Sequence, residues 1–274
     1  SALTIRRMPY PDEVVLPVRQ HAGKPAKPNV SPGDHVQRGD VVAEADGFVS
    51  SPVHASAAGV VQDIELWPHP DGSMCPAIRI KVDRWSAQMP RPRLVPKWED
   101  LGPQQIVAAV QNGGVVGLGG AAFPTHVKLA PPSDFAVHTI ILNGAECEPY
   151  LTTDHRIMVE YPERVQLGLR IMLYTLGAKR AVIGVEKNKP DAIEALGRTL
   201  PNDLDVSVLT LTVEYPQGAE KMLIKAVTGL EVESGNLPVS VGTLVQNVGS
   251  AASMGEIFET GLPLAERIVT VSGR

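Results

Sequence analysis

The 274 residues predict an α/β protein in two parts: a small all-β domain, then a mostly parallel sheet with helices on both faces. Three observations predict it. Up to about Val82, short β-like runs are broken at close intervals by Gly, Pro and Asp. Beyond about residue 100, apolar strands alternate with amphipathic helices, the rhythm of a parallel sheet. Between them lies WSAQMPRPRLVPKW (85–98), rich in Pro and Arg and without periodicity. Proline removes backbone donors and disfavours helix, so this stretch reads as a linker. The expected division is an all-β domain over 1–88, a linker over 89–99 and an α/β domain over 100–274.

In the first part, strands are expected at 14–16, 35–36, 41–43, 60–64 and 77–82. Pro32-Gly33-Asp34, Arg38-Gly39-Asp40 and Ala45-Asp46-Gly47 are turn signals, because Gly tolerates positive φ and Asp bonds its own turn. Such short, dense strands build a small barrel or sandwich. The three tryptophans, Trp67, Trp85 and Trp98, are expected to cover the barrel and the linker.

In the second part, Ile106, Val107 and Val110 mark a helix over 104–111, and 139–142 (TIIL) is an unbroken apolar strand, as when both sheet faces are covered. A helix over 163–176 ends at Gly177. A strand at 180–186, a helix at 190–200 with Pro in its first turn, a strand at 206–213, a helix at 217–228 closed by Gly229 and a strand at 268–271 complete the series.

Composition narrows the function. A hydrophobic share of 43% builds a core, and 20% charged residues cover it. A net charge of −5, with Lys and Arg scattered, argues against nucleic-acid binding. No stretch approaches the roughly 18 apolar residues of a membrane span. The two cysteines, Cys75 and Cys147, are expected to be reduced thiols, and they cannot ligate an iron–sulfur cluster by themselves.

The chemistry concentrates in two clusters. VVGLGGAAFPTHVKL (115–129) places a glycine-rich loop ahead of Lys128. Gly117, Gly119 and Gly120 let backbone approach an anion, and successive N–H groups in such a turn form an anion-binding concavity. NGAECEPY (143–150) sets an amide and two carboxylates at the end of the apolar strand, where an open sheet binds its ligand. Together they point to a nucleotide or flavin site. The loop is neither a Walker sequence nor GxGxxG.

VSPGDHVQRGDVVAEADG followed by SPVHASAAGVVQDI resembles the barrel-sandwich hybrid of lipoyl and biotin carriers. Those carriers bear a modifiable lysine at a hairpin tip; the turn at Ala45-Asp46-Gly47 has none, which favours a docking module over a swinging arm. GLGGAAFPTHVKL with LNGAECEPY resembles the C subunit of the Rnf electron-transport complex and, more distantly, the flavin-carrying, NADH-oxidising subunit of respiratory complex I. The resemblance continues through Glu186–Pro190 (EKNKP), Tyr215–Lys221 (YPQGAEK) and Val245–Gly249 (VQNVG), and covers nearly the whole chain. It implies a Rossmann-like flavin domain preceded by a barrel-sandwich hybrid domain, non-covalent FMN, and NADH as substrate.

By motif, Gly117, Gly119, Gly120 and Lys128 hold the FMN phosphate and its surroundings, and Asn143 and Asn247 the ribityl or phosphate end. Glu146, Glu148, Tyr215, Gly218 and Glu220 line the ring and nicotinamide side; Ala121, Phe123 and Glu148 face NADH. Hydride transfer to a flavin needs no protein nucleophile, and none is assigned. The resemblance further implies partner subunits, a ferredoxin-type carrier, peripheral attachment at the cytoplasmic membrane face, and truncation before ubiquitin-like and iron–sulfur domains that hold the clusters.

This chain departs from its relatives at Ala122, where the motif usually has Gly, and at Leu118 and Ala145, where complex I relatives carry Arg and Asp. Two other functions fit the same residues: a flavin reductase serving another acceptor such as cobalamin, and a non-catalytic docking module. Glu146 and Glu148, two apart on an extended segment, are expected to face one way as ligand-bonding groups, with Cys147 a packed side chain between them. His126, Asp154, His155 and Arg156 match no zinc spacing and are expected in exposed loop or helix-start positions. His54 and His69 carry no usable signal.

Overall fold

The computed structural model describes residues 3–90 and 96–272, so 91–95 of the expected linker lie outside the described residues. The first part contains β1 (Glu13–Pro17), β2 (Lys27–Pro28), β3 (His35–Val36), β4 (Val41–Glu44), β5 (Val53–His54), β6 (Gly59–Pro68) and β7 (Met74–Val82). They form a four-stranded antiparallel sheet, β1-β7-β6-β3, and a three-stranded one, β2-β4-β5. Leu16, Val36, Val42, Val53, Ile78 and Ile80 fill the space between them. Every strand expected from sequence is present. β6 and β7 run further, as one long hairpin paired out to Pro68 and Met74. β2 and β5, at two residues each, are too short to leave a period in sequence.

The second part begins with α1 (Pro103–Asn112) and the single turn α2 (Thr125–Lys128), followed by β8 (Thr139–Gly144). Then come α3 (Thr153–Glu160), α4 (Pro162–Leu176), β9 (Arg180–Glu186), α5 (Pro190–Arg198), β10 (Asp205–Leu211), α6 (Glu220–Thr228), β11 (Thr243–Asn247) and α7 (Val248–Thr260). All four strands are parallel, in the order β10-β9-β8-β11. Side chains alternate between faces. Ile140, Leu142 and Ile183 pack with α4 and α7, whereas Ile141 and Val245 pack with Leu223 and Ile224 of α6. That double burial explains the unbroken apolar text of β8. α4 and α7 cross so closely that a methyl on Gly168 would lie 1.9 Å from the Ala251 carbonyl oxygen.

The fourth strand corrects the expectation. Residues 268–271 form no strand; Val269 and Val271 are exposed, and Thr270 Oγ1 accepts a hydrogen bond from Thr152 N at 3.0 Å. The place beside β8 belongs to β11. Trp85 is a second correction: at 96% exposure it covers nothing, while Trp98 stacks edge-on against Tyr174 of α4.

The winding determines where a ligand can sit. The chain moves outward from β8 through β9 to β10, then returns across the sheet to β11 on the other side of β8. The connections therefore reverse direction between β8 and β11. In open α/β sheets that reversal leaves a crevice at the carboxyl ends of the two strands.

Candidate functional site

Asn143 and Asn247 are register partners at the carboxyl ends of β8 and β11, so both stand at the switch point. Asn247 is also the N-cap of α7: its Oδ1 accepts from Gly249 N at 2.8 Å and Ser250 N at 3.2 Å. The glycine-rich loop lies directly on this cap, since a methyl on Gly119 would meet Asn247 Nδ2 at 3.1 Å. The loop is closed at its base by a bond from Gly117 N to Phe123 O (2.8 Å) and tied to α7 by one from Leu118 N to Ser250 Oγ (2.9 Å). Arg267 holds the Leu118 carbonyl at 2.6 Å.

Between these anchors, the N–H groups of Gly119, Gly120 and Ala121 donate to no described residue, and all three residues are exposed. Gly120 has φ +146°, with open space where a side chain would stand. Unpaired amides over the positive end of a helix form a ready anion site. Ala122 has φ +48°, in the left-handed region where Gly has no steric cost. Here a methyl is accommodated in that backbone.

The second cluster fastens the crevice's other wall. Asn143 Nδ2 donates to Gly218 O at 2.8 Å, and its Oδ1 accepts from Ala145 N at 3.0 Å. Gly218 N donates to Cys147 Sγ at 2.9 Å, so the half-buried thiol anchors this wall. A methyl on Gly218 would fall 2.5 Å from Ala145 O. A cleft of about 280 Å³ opens here; Glu146, Glu148, Tyr150, Glu186, Lys189 and Tyr215 line it. The 146–148 segment lies beyond the end of β8 at Gly144. Glu146 Oε1 and Oε2 accept the N–H groups of Asp154 and His155 at 2.9 and 3.0 Å, capping α3. Glu148 lines the cleft, and Tyr215 stands 76% exposed at it. Lys128 meets Glu220 at 3.3 Å and donates to Val245 O at 2.9 Å; those bonds pin α2 to α6 and β11.

Asp154, expected at an exposed position, is buried, as are His126 and His155. For Asp154 and His155 the reason is that they form the first turn of α3, packed under the ends of the strands; His126, in α2, is covered by Phe48. Asn247 Nδ2 donates to Asp154 Oδ2 at 2.6 Å, and His155 Nε2 lies 2.8 Å from Asp191 Oδ1. Burial, reinforced by the negative charge of Glu146, pushes the Asp154 carboxyl up to about 7, against the pull of Asn247, Arg267 and Lys189. Burial also raises Glu186, against the pull of Lys189. Sequence reasoning assigned no role to Asp154, Glu186, Ser250 or Arg267. The text Thr152-Thr153-Asp154, a helix start eight residues after an acid, was the signal available for Asp154. Among the described residues, no group of His, Cys, Asp and Glu could hold a metal ion.

A parallel sheet with unpaired loop amides on a capped helix at its switch point has the geometry of an α/β protein that can receive an anionic group there. The chain belongs to the Nuo51 FMN-binding domain family, which it matches over residues 110–256, more than half its length. Residues 1–85 match the RnfC barrel sandwich hybrid domain. It is 46% identical over 268 residues to the C subunit of the proton-translocating ferredoxin:NAD(+) oxidoreductase complex of Clostridium ljungdahlii, covering 97% of this chain and 58% of the relative. Identity to the C subunit of the Na(+)-translocating ferredoxin:NAD(+) oxidoreductase complex of Acetobacterium woodii is 47%, covering 96% of this chain and 59% of the relative. The C subunit of an ion-translocating oxidoreductase complex of Haemophilus influenzae is 36% identical, with 98% and 41% covered. The chain thus spans well under two thirds of the length of these relatives. Among solved structures, an NAD+-reducing [NiFe]-hydrogenase in the H2-reduced state superposes with a TM-score of 0.52 at 25% identity, covering 60% of this chain and 32% of that one.

Proposed function

We propose that this chain is the FMN-binding, NADH-oxidising part of an Rnf-type complex, which passes electrons between NADH and a ferredoxin-type carrier with coupled ion transport. The carrying observation is the glycine-rich loop seated on the Asn247 cap of α7, with three unpaired amides at the switch point. In this reading Gly117, Gly119 and Gly120 shape the phosphate cradle, and the end of α7 supplies its positive field. Asn143 and Asn247 set the floor. Glu146, Glu148, Tyr215, Gly218 and Glu220 border the ring and nicotinamide side, with Ala121, Phe123 and Glu148 facing NADH. Lys128 sits at the margin and acts by holding Glu220 and β11 in place. Bound FMN supplies the hydride acceptor; the chain's residues bind, orient and exclude water.

The division of labour follows the sequence: an all-β unit to about residue 88, a linker over 89–99 and the flavin unit beyond it. Iron–sulfur clusters lie, in this reading, outside these 274 residues, and so do the partner subunits of the complex. Attachment is peripheral, at the cytoplasmic face of the membrane; among the described residues, no helix is long and apolar enough to cross it. The test is a visible spectrum of the purified chain after addition of FMN and desalting, then anaerobic NADH. The expected result is a retained flavin band that bleaches with NADH. Loss of the flavin on desalting contradicts the reading and favours a docking module; retention without bleaching refutes NADH as the donor.

A further inference from the structure

The all-β domain touches the glycine-rich loop from behind. Its edge is made of two turns locked to each other. His21 Nε2 lies 2.9 Å from Ser51 O and 3.1 Å from Ser51 N, Lys24 N donates to Val49 O at 2.9 Å, and Asp46 N donates to Ser50 Oγ at 2.9 Å. A methyl on Gly23 would lie 2.1 Å from Val49 O, so the two turns fit without slack. This edge gives the loop two backbone contacts. Ala22 N donates to Ala122 O at 3.1 Å, at the residue held at positive φ. Phe48 O accepts from His126 Nε2 at 2.8 Å, one turn beyond the loop, and the two rings meet edge to face at 5.9 Å. The Phe48 turn follows Ala45-Asp46-Gly47, the position at which carriers of this fold expose their lysine.

We propose that this edge, residues 21–24 and 46–51, is the positioning element of the glycine-rich loop, acting through Ala22 and through the bond from His126 to Phe48. The barrel is then a fixed wall of the cofactor site rather than an independent module. A carbonyl can only accept, so His126 carries its proton on Nε2. Its Nδ1 is buried and has no partner among the described residues. Burial holds the imidazole pKa down, against the Phe48 bond and with a smaller push from His21, which keeps the ring in this one form. At this same end Thr125 Oγ1 accepts from Gln246 Nε2 at 3.0 Å, so α2 is held between the barrel and β11, while the start of the loop is tied to α7 by the bond from Leu118 N to Ser250 Oγ. With both ends of the loop fixed, its amides stay aimed at one point without a ligand, and preorganisation of this kind raises affinity.

The proposal rests on the reading that the loop holds the FMN phosphate, and its test separates the two. Hydrogen–deuterium exchange of the Gly117, Leu118 and Thr125 amides, whose bonds close the loop, is measured on the flavin-free chain, alongside the FMN dissociation constant, for wild type, H126L, H126Q and F48A. Loss of the buried donor in H126L is expected to speed loop exchange about ten-fold and weaken FMN about ten-fold. The H126Q side chain can still donate to Phe48 O and is expected to stay within about three-fold of wild type on both readouts. F48A leaves that carbonyl in place and removes the edge-to-face contact with His126, which is expected to speed loop exchange about five-fold; at a side chain 60% exposed it carries the test if H126L does not fold. Loop exchange within about two-fold of wild type in H126L, or in F48A where H126L does not fold, overturns the proposal. Faster exchange with unchanged FMN affinity supports the brace and instead overturns the placement of FMN at this loop.

Discussion

Replacing Asp154 with Asn should make the chain more stable at pH 8 and flatten its stability between pH 4 and pH 7. The folded state holds this carboxyl's proton up to about pH 7, while the unfolded chain releases it near the ordinary 3.8. Over that interval the native state binds more protons than the unfolded state, so stability falls as pH rises. The slope is about 1.4 kcal/mol per unit, which brings the loss by pH 7 to on the order of 3–4 kcal/mol. Asn keeps the shape and still accepts from Asn247, but carries no charge to bury. Denaturant unfolding of both proteins at pH 4.5, 6 and 8 tests this. The two stabilities should diverge with rising pH and level off above 7; curves that run parallel across the range contradict it.

Asn247→Ala should be the most damaging single change among the residues of the crevice. It removes the cap of α7, worth about 1 kcal/mol, and strips the buried Asp154 of its donor, worth about 1–3 kcal/mol more. The expected loss is about 2–4 kcal/mol at pH 8. Because the second part depends on the charge at Asp154, the cost should shrink by at least about 1 kcal/mol in a D154N background. Additive losses in that double-mutant cycle would mean that Asn247 and Asp154 do not act together, despite the 2.6 Å between them.

The fold was legible in the sequence wherever burial leaves a period. The apolar run of β8 and the helical spacing of α4 announced themselves, because one is covered on both faces and the other on one. β11 was hidden: its residues 245–247 read as part of a motif, and the apolar pair Val269 and Val271 made a false strand instead. The site divides in the same way. Asn143 ends the apolar strand, as the sequence places it; that Asn247 is its register partner on β11, with Gly119 packed against it, comes from the fold alone. What could not be read was the use of Glu146. Whether that carboxylate faces a ligand or caps a helix depends on where α3 begins, and only the fold brings Asp154 N and His155 N to it. Lys128 posed the same difficulty. A lysine near a glycine loop suggests a phosphate grip, but Glu220, 92 residues away in sequence, lies at its ammonium group.

The central claim is that the exposed amides of Gly119, Gly120 and Ala121 hold a phosphate at the switch point. The most direct measurement compares FMN with riboflavin, which differs only in lacking that phosphate, by titration against the flavin-free chain. A few charge-assisted hydrogen bonds to the phosphate predict that FMN binds on the order of 100-fold more tightly than riboflavin. Equal affinities for the two flavins would contradict the claim.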